Sequence, residues 1–443
     1  MTSRRAASGT ALGRCVACGR EEFAARSWGR APLLTRVADL PCGFDDLLDT
    51  AAVDELVSRR GLRTPFLRMA KDGGVLPAAK FTRGGGAGAS ISDQAADDQV
   101  LAMIADGATL VLQALHRTWP PLVDFGARLA EELGHPVQVN AYITPPQNQG
   151  FAPHYDVHDV FVLQVAGRKH WTIHEPVIVD PLPDQPWEQH RAEVAARATE
   201  QPLIDTVLGA GDALYLPRGT IHAATALGET AIHLTVGVHP ITRHQLVRQL
   251  LDSAQHDAAL RISLPMGVDL ADPDVLAPHL AATVAALTGY LRGADAGDVA
   301  DRIGTVLRRE TRPEPLAPLA QLALADELGL HTALRLRAGL RIRVTGAEGM
   351  NGADGADGAD GADGADGADG PDGADGDGVT AADGYIRLVL LGRTIDLPSA
   401  ADAAVKTMLS GAVFTPAGLP GLDTEEQLAV TRRLLREGVL VPA

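Results

Sequence analysis

The sequence predicts an α+β protein: an antiparallel barrel or jelly roll at its centre, a helical region after it, and a small winged-helix-like module at the C-terminus. Three observations carry this. Residues 136–240 are a run of short strand patterns broken by Gly and Pro. Residues 241–330 have helical periodicity, and residues 335–443 read strand, helices, strand. A chain of 443 residues is also long enough for two or three domains.

Taken in order, the first 25 residues read as a disordered start. The paired arginines of MTSRRAASGTALGR are followed by no apolar segment, so they are not an export signal. Residues 43–133 mix helices with short strands, as in FDDLLDTAAVDELVSRRG and QVLAMIADGATLVLQAL. The barrel strands are PVQVNAYITPP, HYDVHDVFVLQVAG, RKHWTIHEP, DTVLGAGDALYLPRG, TIHAATALG and TAIHLTVGVHP. Strands of this length and spacing put alternate residues inside a barrel. ITRHQLVRQLLDSAQHDAALR, VLAPHLAATVAALTGYLRG and VADRIGTVLRRE are amphipathic helices of the kind that pack on a neighbour or form a dimer surface.

Beyond them, LRIRVTG (340–346) and GYIRLVLLGRTIDLP (384–398) alternate like the two strands of a hairpin. Between them glycine stands at every third position from Gly352 to Gly376. A collagen triple helix needs abundant proline and only Pro371 is present, so residues 351–379 are expected to be a disordered acidic linker. A helix at Ser399–Leu409, a second one capped by Asp423 or Thr424, and a final GVLVP strand complete the module.

Charge and cysteine content exclude several roles. Nine aspartates between Asp354 and Asp377 account for much of the net charge of −17, leaving −8 on the rest of the chain. The segment 380–443 carries seven acidic and six basic residues, which gives no basis for DNA binding. No stretch approaches the roughly 18 apolar residues of a membrane helix. Cys15, Cys18 and Cys42 make no disulfide framework, which fits a reducing, cytoplasmic setting. The CVAC pair lacks the further ligands a structural zinc site requires.

The chemistry concentrates in HYDVHD. If this stretch is a strand, His154 and Asp156 share a face, His158 joins them, and Asp159 points the other way. One nitrogen and one oxygen ligand then aim at one point, with His158 not excluded. GDALYLPRGTIHAAT has the spacing G-x5-P-x-G-x2-H, which resembles the second cupin motif, where a turn and the next strand bring a histidine to the barrel centre. His154, Asp156 and His222 would then make a two-histidine, one-carboxylate triad, suited to Fe(II) and leaving three coordination positions open. Zinc would favour a tetrahedral site.

Together, NAYITPPQNQGFAPHYDVHDVFVLQVAGRKHW and GDALYLPRGTIHAA resemble the JmjC-type cupin proteins of the ribosomal oxygenase group. FAARSWGRAPLLTR, LRISLP and DLPSAADAAV with RRLLREGVLV extend the resemblance over nearly the whole chain. It implies a JmjC double-stranded β-helix at 26–240, a helical dimerisation region at 241–330 and a winged helix at 335–443. It further implies His154, Asp156 and His222 as iron ligands, and Lys169 as the partner of the distal carboxylate of 2-oxoglutarate. Asn140 and Tyr142 resemble the family's co-substrate contacts, and Thr235 is a further candidate. His158 becomes a supporting or core residue and Asp159 a residue of the outer face. Gly237 stands where relatives often carry a hydroxyl, so one hydrogen bond near the co-substrate is expected to be missing.

The activity so implied is hydroxylation of a protein side chain, histidyl or arginyl, in a ribosomal protein, with Fe(II), 2-oxoglutarate and molecular oxygen. Lysine at position 169 leans to the histidine branch. A homodimer is expected, with no DNA or membrane partner. The other readings are the same iron chemistry on a peptide or small molecule, removal of an N-methyl group by hydroxylation, and a non-catalytic cupin scaffold.

Overall fold

The computed structural model describes residues 9–71, 73–149, 151–346 and 384–443. The expected acidic linker at 351–379 lies outside them, as do the first eight residues of the expected disordered start. The chain divides into two compact units, 1–292 and 293–443.

In the first unit the strands are β1 (Leu33–Thr35), β2 (Leu67–Lys71), β3 (Gly74–Val75), β4 (Thr82–Arg83), β5 (Gln94–Ala95), β6 (Thr109–Leu112), β7 (Val137–Thr144), β8 (Asp159–Ala166), β9 (Lys169–His174), β10 (Ile204–Leu208), β11 (Ala213–Leu216), β12 (Ile221–Ala226) and β13 (Ala231–Val238). One sheet has the order β1-β11-β8-β13-β7-β6-β2-β3 and a second the order β10-β9-β12, with β4 and β5 paired apart. Every pairing in these sheets is antiparallel. This is the antiparallel jelly roll that the strand spacing predicts.

β8 shows why the sequence there reads as an unbroken apolar run instead of an alternating one: both of its faces are covered. Val160 and Val162 pack with Trp171 and Ile173 of β9 and with Leu214 and Leu216 of β11. Phe161, Leu163 and Val165 turn to the opposite face, into a core shared with Phe125 and Leu129 of the helix Pro120–Leu133. That helix begins on two prolines and ends on Gly134, whose φ of 75° is the left-handed C-cap conformation that glycine adopts without a Cβ penalty.

The N-terminal expectation needs correction, because residues 9–25 are part of the fold. Both oxygens of the Glu132 carboxylate accept backbone N–H groups, from Ala11 at 2.7 Å and Leu12 at 2.8 Å. Arg14 grips both oxygens of Asp46 at 2.9 and 2.6 Å. Phe23, on the helix Arg20–Arg26, packs edge-on to Tyr215 with ring centroids 4.9 Å apart. Cys15 is buried in the same core, which pushes its thiol up to about 12.

Asp159 is a second correction. It does occupy the face of β8 opposite the barrel interior, but that face is covered, and Asp159 is only 2% exposed. Its carboxylate accepts the Tyr215 hydroxyl at 2.6 Å and the Arg218 amide at 2.9 Å, the compensation a buried charge requires. It ties β11 and the turn before β12 to β8.

The region expected to be one helical body, 241–330, is divided. Helices Arg243–Ala254 and Pro273–Arg292 belong to the first unit, and Ala296–Glu310 and Pro318–Asp326 to the second. The reason for the last is a buried amide: Gln321 donates to the carbonyl of Leu435 at 3.1 Å, and Ala325 and Leu328 enter the core of the C-terminal module. That core is closed by β14 (Leu334–Leu336), β15 (Arg343–Gly346), β16 (Tyr385–Leu390), β17 (Arg393–Pro398) and β18 (Leu440–Pro442). β15 pairs with β16 in antiparallel register, Val344 opposite Leu388, so the acidic segment joins the two strands of a hairpin as expected. Asp423 caps the helix Thr424–Arg436 through a capping box with Glu426.

Candidate metal centre

The side chains of His154, Asp156 and His222 converge, with one ligand atom from each lying within 4.8 Å of the others. His222 Nε2 is 3.7 Å from Asp156 Oδ2, and the two imidazole centroids are 4.5 Å apart. Donors sharing an ion at about 2.1 Å stand about 3 Å apart, so a small side-chain adjustment closes the set.

The backbone explains the convergence. His154 and His222 face each other in an isolated antiparallel bridge, with N–H···O distances of 3.2 and 2.8 Å. The Asp156 carbonyl accepts the Gly219 amide at 2.9 Å, which pins the ligand loop to the Pro217–Gly219 turn. Gly219 has φ +84°, and a Cβ there would stand 2.5 Å from the Ile178 carbonyl oxygen. HYDVHD is therefore not a strand, as the alternation argument supposes. Its ligands are held by this bridge and turn, and β8 begins only at Asp159.

Each imidazole is oriented by a carbonyl: His154 Nδ1 donates to Ala152 at 2.8 Å and His222 Nδ1 to Thr220 at 3.0 Å. A carbonyl only accepts, so the proton sits on Nδ1 and the Nε2 lone pair is free for a metal. Burial, with the neighbouring His154, lowers His222 to about 4 and keeps it neutral. Burial works to raise the Asp156 carboxyl, but His158, His222, His154 and His239 outweigh it and hold the group below its ordinary value. Two imidazole nitrogens turned inward and a carboxylate are the donor set that a divalent ion needs.

The triad opens on a cavity of about 180 Å³. Asn140, Tyr142, Lys169 and Thr235 all line it, so every sequence-predicted site residue reaches the same space. Lys169 is 3% exposed, its Nζ donates to Thr144 Oγ1 at 2.8 Å, and burial lowers its pKa to about 7. Asn140 Oδ1 is already engaged by the Ala114 amide at 3.0 Å. Tyr142 stacks on His233, with centroids 4.9 Å apart and planes at 9°.

His158 also lines the cavity. Gln138 Nε2 donates to its Nε2 at 3.2 Å, and its Nδ1 lies 3.2 Å from the Asp159 carbonyl. Its ring fills the space beside Gly237, where an added Cβ would come within 2.8 Å of His158 Cε1. The position expected to lack a hydrogen-bonding group is thus occupied by an imidazole from elsewhere in the chain.

Sequence reasoning missed ten of the lining residues, and four of them, Thr144, Trp171, His233 and Arg68, bear on the chemistry of the cavity. Thr144 continues the Asn140, Tyr142 alternation and was legible from it. Trp171 follows Lys169 by two along β9, which is the same signal. His233, next to Thr235 by the same rule, lies buried, and burial pushes its pKa well below the usual imidazole value. Arg68 comes from β2, which no motif marks. Trp171 Nε1, His233 Nδ1 and Arg68 Nε are buried without a partner. The unmet nitrogens of Trp171 and His233, which share the cavity with the buried Lys169, fit an anionic ligand.

Residues 122–246 match the family model of the JmjC domain. Ribosomal oxygenase 1 of Gallus gallus is 32% identical over 254 residues, which cover 56% of this chain and 40% of that protein. The bifunctional lysine-specific demethylase and histidyl-hydroxylase NO66 of Culex quinquefasciatus is 29% identical over 261 residues, covering 55% of this chain and 37% of that protein. The chain thus spans well under half the length of these relatives. The crystal structure of the Escherichia coli ribosomal oxygenase YcfD superposes with a TM-score of 0.51 at 18% identity, covering 96% of this chain and 98% of that one, which shows the shared fold. A second structure of that protein, with cobalt and 2-oxoglutarate, superposes with a TM-score of 0.50 at 18% identity over 95% of this chain and 97% of that one.

Proposed function

We propose, for a chain that carries a JmjC domain of the ribosomal oxygenase type, the hydroxylation of a protein side chain with Fe(II), 2-oxoglutarate and oxygen. The observation that carries this reading is the meeting of His154, Asp156 and His222 with the buried Lys169 in one cavity. The histidyl-hydroxylase activity of the Culex quinquefasciatus relative and the cobalt and 2-oxoglutarate complex of the Escherichia coli protein agree with it.

His154, Asp156 and His222 would hold the iron, which supplies the oxygen chemistry that converts 2-oxoglutarate to succinate and carbon dioxide while the substrate is hydroxylated. Asp156 contributes the negative charge and the two imidazoles contribute lone pairs already turned inward. Lys169 and Thr144 receive the distal carboxylate of the co-substrate, which restores to the ammonium the counter-charge that burial removes. Trp171 and Tyr142 close the walls and keep water from the reacting centre.

The test is succinate formation from 2-oxoglutarate by the iron-loaded protein, with and without candidate ribosomal proteins, coupled to mass spectrometry of those proteins. The expected result is succinate stoichiometric with one added oxygen atom on a histidyl or arginyl residue. Absence of iron and 2-oxoglutarate binding would instead favour a scaffold.

The catalytic domain of this reading is 26–240 together with residues 9–25, which pack into its core, and its winged-helix module is 335–443 with the helix Pro318–Asp326 packed on it; the hairpin and the capped helix support that description. A cytoplasmic setting is part of this reading, and the free thiols of Cys15, Cys18 and Cys42 support it. Among the described residues no helix is long and apolar enough to cross a membrane. The helix Pro273–Arg292 buries none of its residues, and Leu280, Val284 and Leu291 are exposed on it. A second copy covering this face gives a homodimer, and sedimentation equilibrium should return twice the chain mass of 46.3 kDa. A monomer at micromolar concentration would remove that assignment.

A further inference from the structure

We propose that Arg68 is a specificity-determining residue that admits uncharged target side chains and turns away cationic ones. The inference rests on the oxygenase reading above and concerns the charge left in the cavity once that reading has assigned its other groups. The triad consumes Asp156, which is the only carboxylate among the described residues that line the cavity. The co-substrate's distal carboxylate consumes Lys169. What remains formally charged is Arg68, and its sign is positive.

Arg68 is well placed to be met by an incoming group. It projects from β2, its Cζ lies 5.3 Å from the centroid of Phe151, and its charge also acts on the Tyr142 hydroxyl. Its Nε is buried without a partner, and among the described residues no carboxylate forms an ion pair with it. A guanidinium or ammonium entering this space would meet a like charge and find no acceptor carboxylate to replace its water. An imidazole or a carboxamide would meet donors and acceptors from Arg68 and Gln138, beside the planar faces of Phe151 and Tyr142. Rejection by charge is the stronger discriminator, because a buried unpaired charge costs far more than a mismatched shape.

The experiment uses four peptide pools, randomised except for a fixed central His, Asn, Arg or Lys, offered separately to the iron-loaded full chain with 2-oxoglutarate. Succinate formation above the rate without peptide is read as a ratio between pools, which does not depend on how much of a variant is folded. For the native protein the His or Asn pool should exceed the Arg and Lys pools by about tenfold or more. Arg68→Lys should keep that order, and Arg68→Gln should weaken it. Arg68→Glu should reverse it, since the cationic pools then gain a partner. Equal rates with all four pools, or an order unchanged in Arg68→Glu, would overturn the assignment while leaving the oxygenase reading intact. If the native protein forms no succinate under any of these conditions, the oxygenase reading itself fails and this assignment with it.

Discussion

Replacing His154 with alanine should abolish iron-dependent turnover of 2-oxoglutarate while leaving the metal-free fold close to the parent. Loss of a residue that merely orients a metal ligand costs about 10- to 100-fold in affinity, so loss of the ligand itself should cost more than about 100-fold. His154 is half-buried, and alanine keeps the backbone N–H and C=O groups it shares with His222 while losing only one hydrogen bond, the exposed one from Nδ1 to the Ala152 carbonyl. Two measurements separate the effects. Thermal unfolding without metal should be nearly unchanged. The stabilisation that saturating Fe(II), or Co(II) as a redox-stable substitute, gives the parent is about 2.7 kcal/mol at a hundred times Kd and should vanish in the variant. Turnover that survives His154→Ala would sink the triad.

Replacing Lys169 with methionine should weaken 2-oxoglutarate binding by roughly 100-fold or more, because breaking a buried charge pair costs about 3–5 kcal/mol. The pH dependence identifies the cause. Burial holds Lys169 at about 7, against an ordinary value of 10.5. A bound carboxylate favours the ammonium, so binding above pH 7 requires uptake of a proton. The apparent affinity should therefore fall by up to about tenfold per pH unit above 7, a slope absent from Lys169→Met. Stability carries the same signature. Between about 7 and 10.5 the unfolded chain binds a proton that the folded apoprotein does not, so apoprotein stability attributable to this group rises with pH through that window. Below 7 both states are protonated and the native state bears the full cost of the buried charge. The variant should lack that component and exceed the parent in urea midpoint at neutral pH. Calorimetry in two buffers of different ionisation enthalpy measures the proton uptake directly, and equal slopes for parent and variant would remove Lys169 from the co-substrate site.

Much of the site was legible because strand alternation is a local property. Asn140 and Tyr142 on β7, Lys169 on β9 and Thr235 on β13 reach the cavity as a two-residue period predicts, and Thr144, Trp171 and His233 follow from extending the same rule by one step. The ligand loop was legible for a different reason from the one the alternation gave. His154 and Asp156 converge because the His154–His222 bridge and the Gly219–Asp156 hydrogen bond bend an irregular segment onto the metal position. Spacing singled out the three residues that converge, but through the wrong secondary structure. The environment of Asp159 was not legible, since period two says only that it leaves the barrel interior. Whether that side meets water or the Phe161 and Tyr215 core depends on an N-terminal segment more than a hundred residues away.

The sequence by itself determined the succession of strands in the central region, the jelly-roll class, the three candidate metal ligands and the inward lysine, all of which depend on residue type and short-range spacing. Only the tertiary structure decided what lies across the cavity from them. Arg68 arrives on a strand with no motif, the ring of His158 fills the space beside Gly237, and residues 9–25 are ordered by Glu132. Those contacts are made between segments distant in sequence, where no local period constrains which side chains meet and only packing and the pairing of buried polar groups select the arrangement.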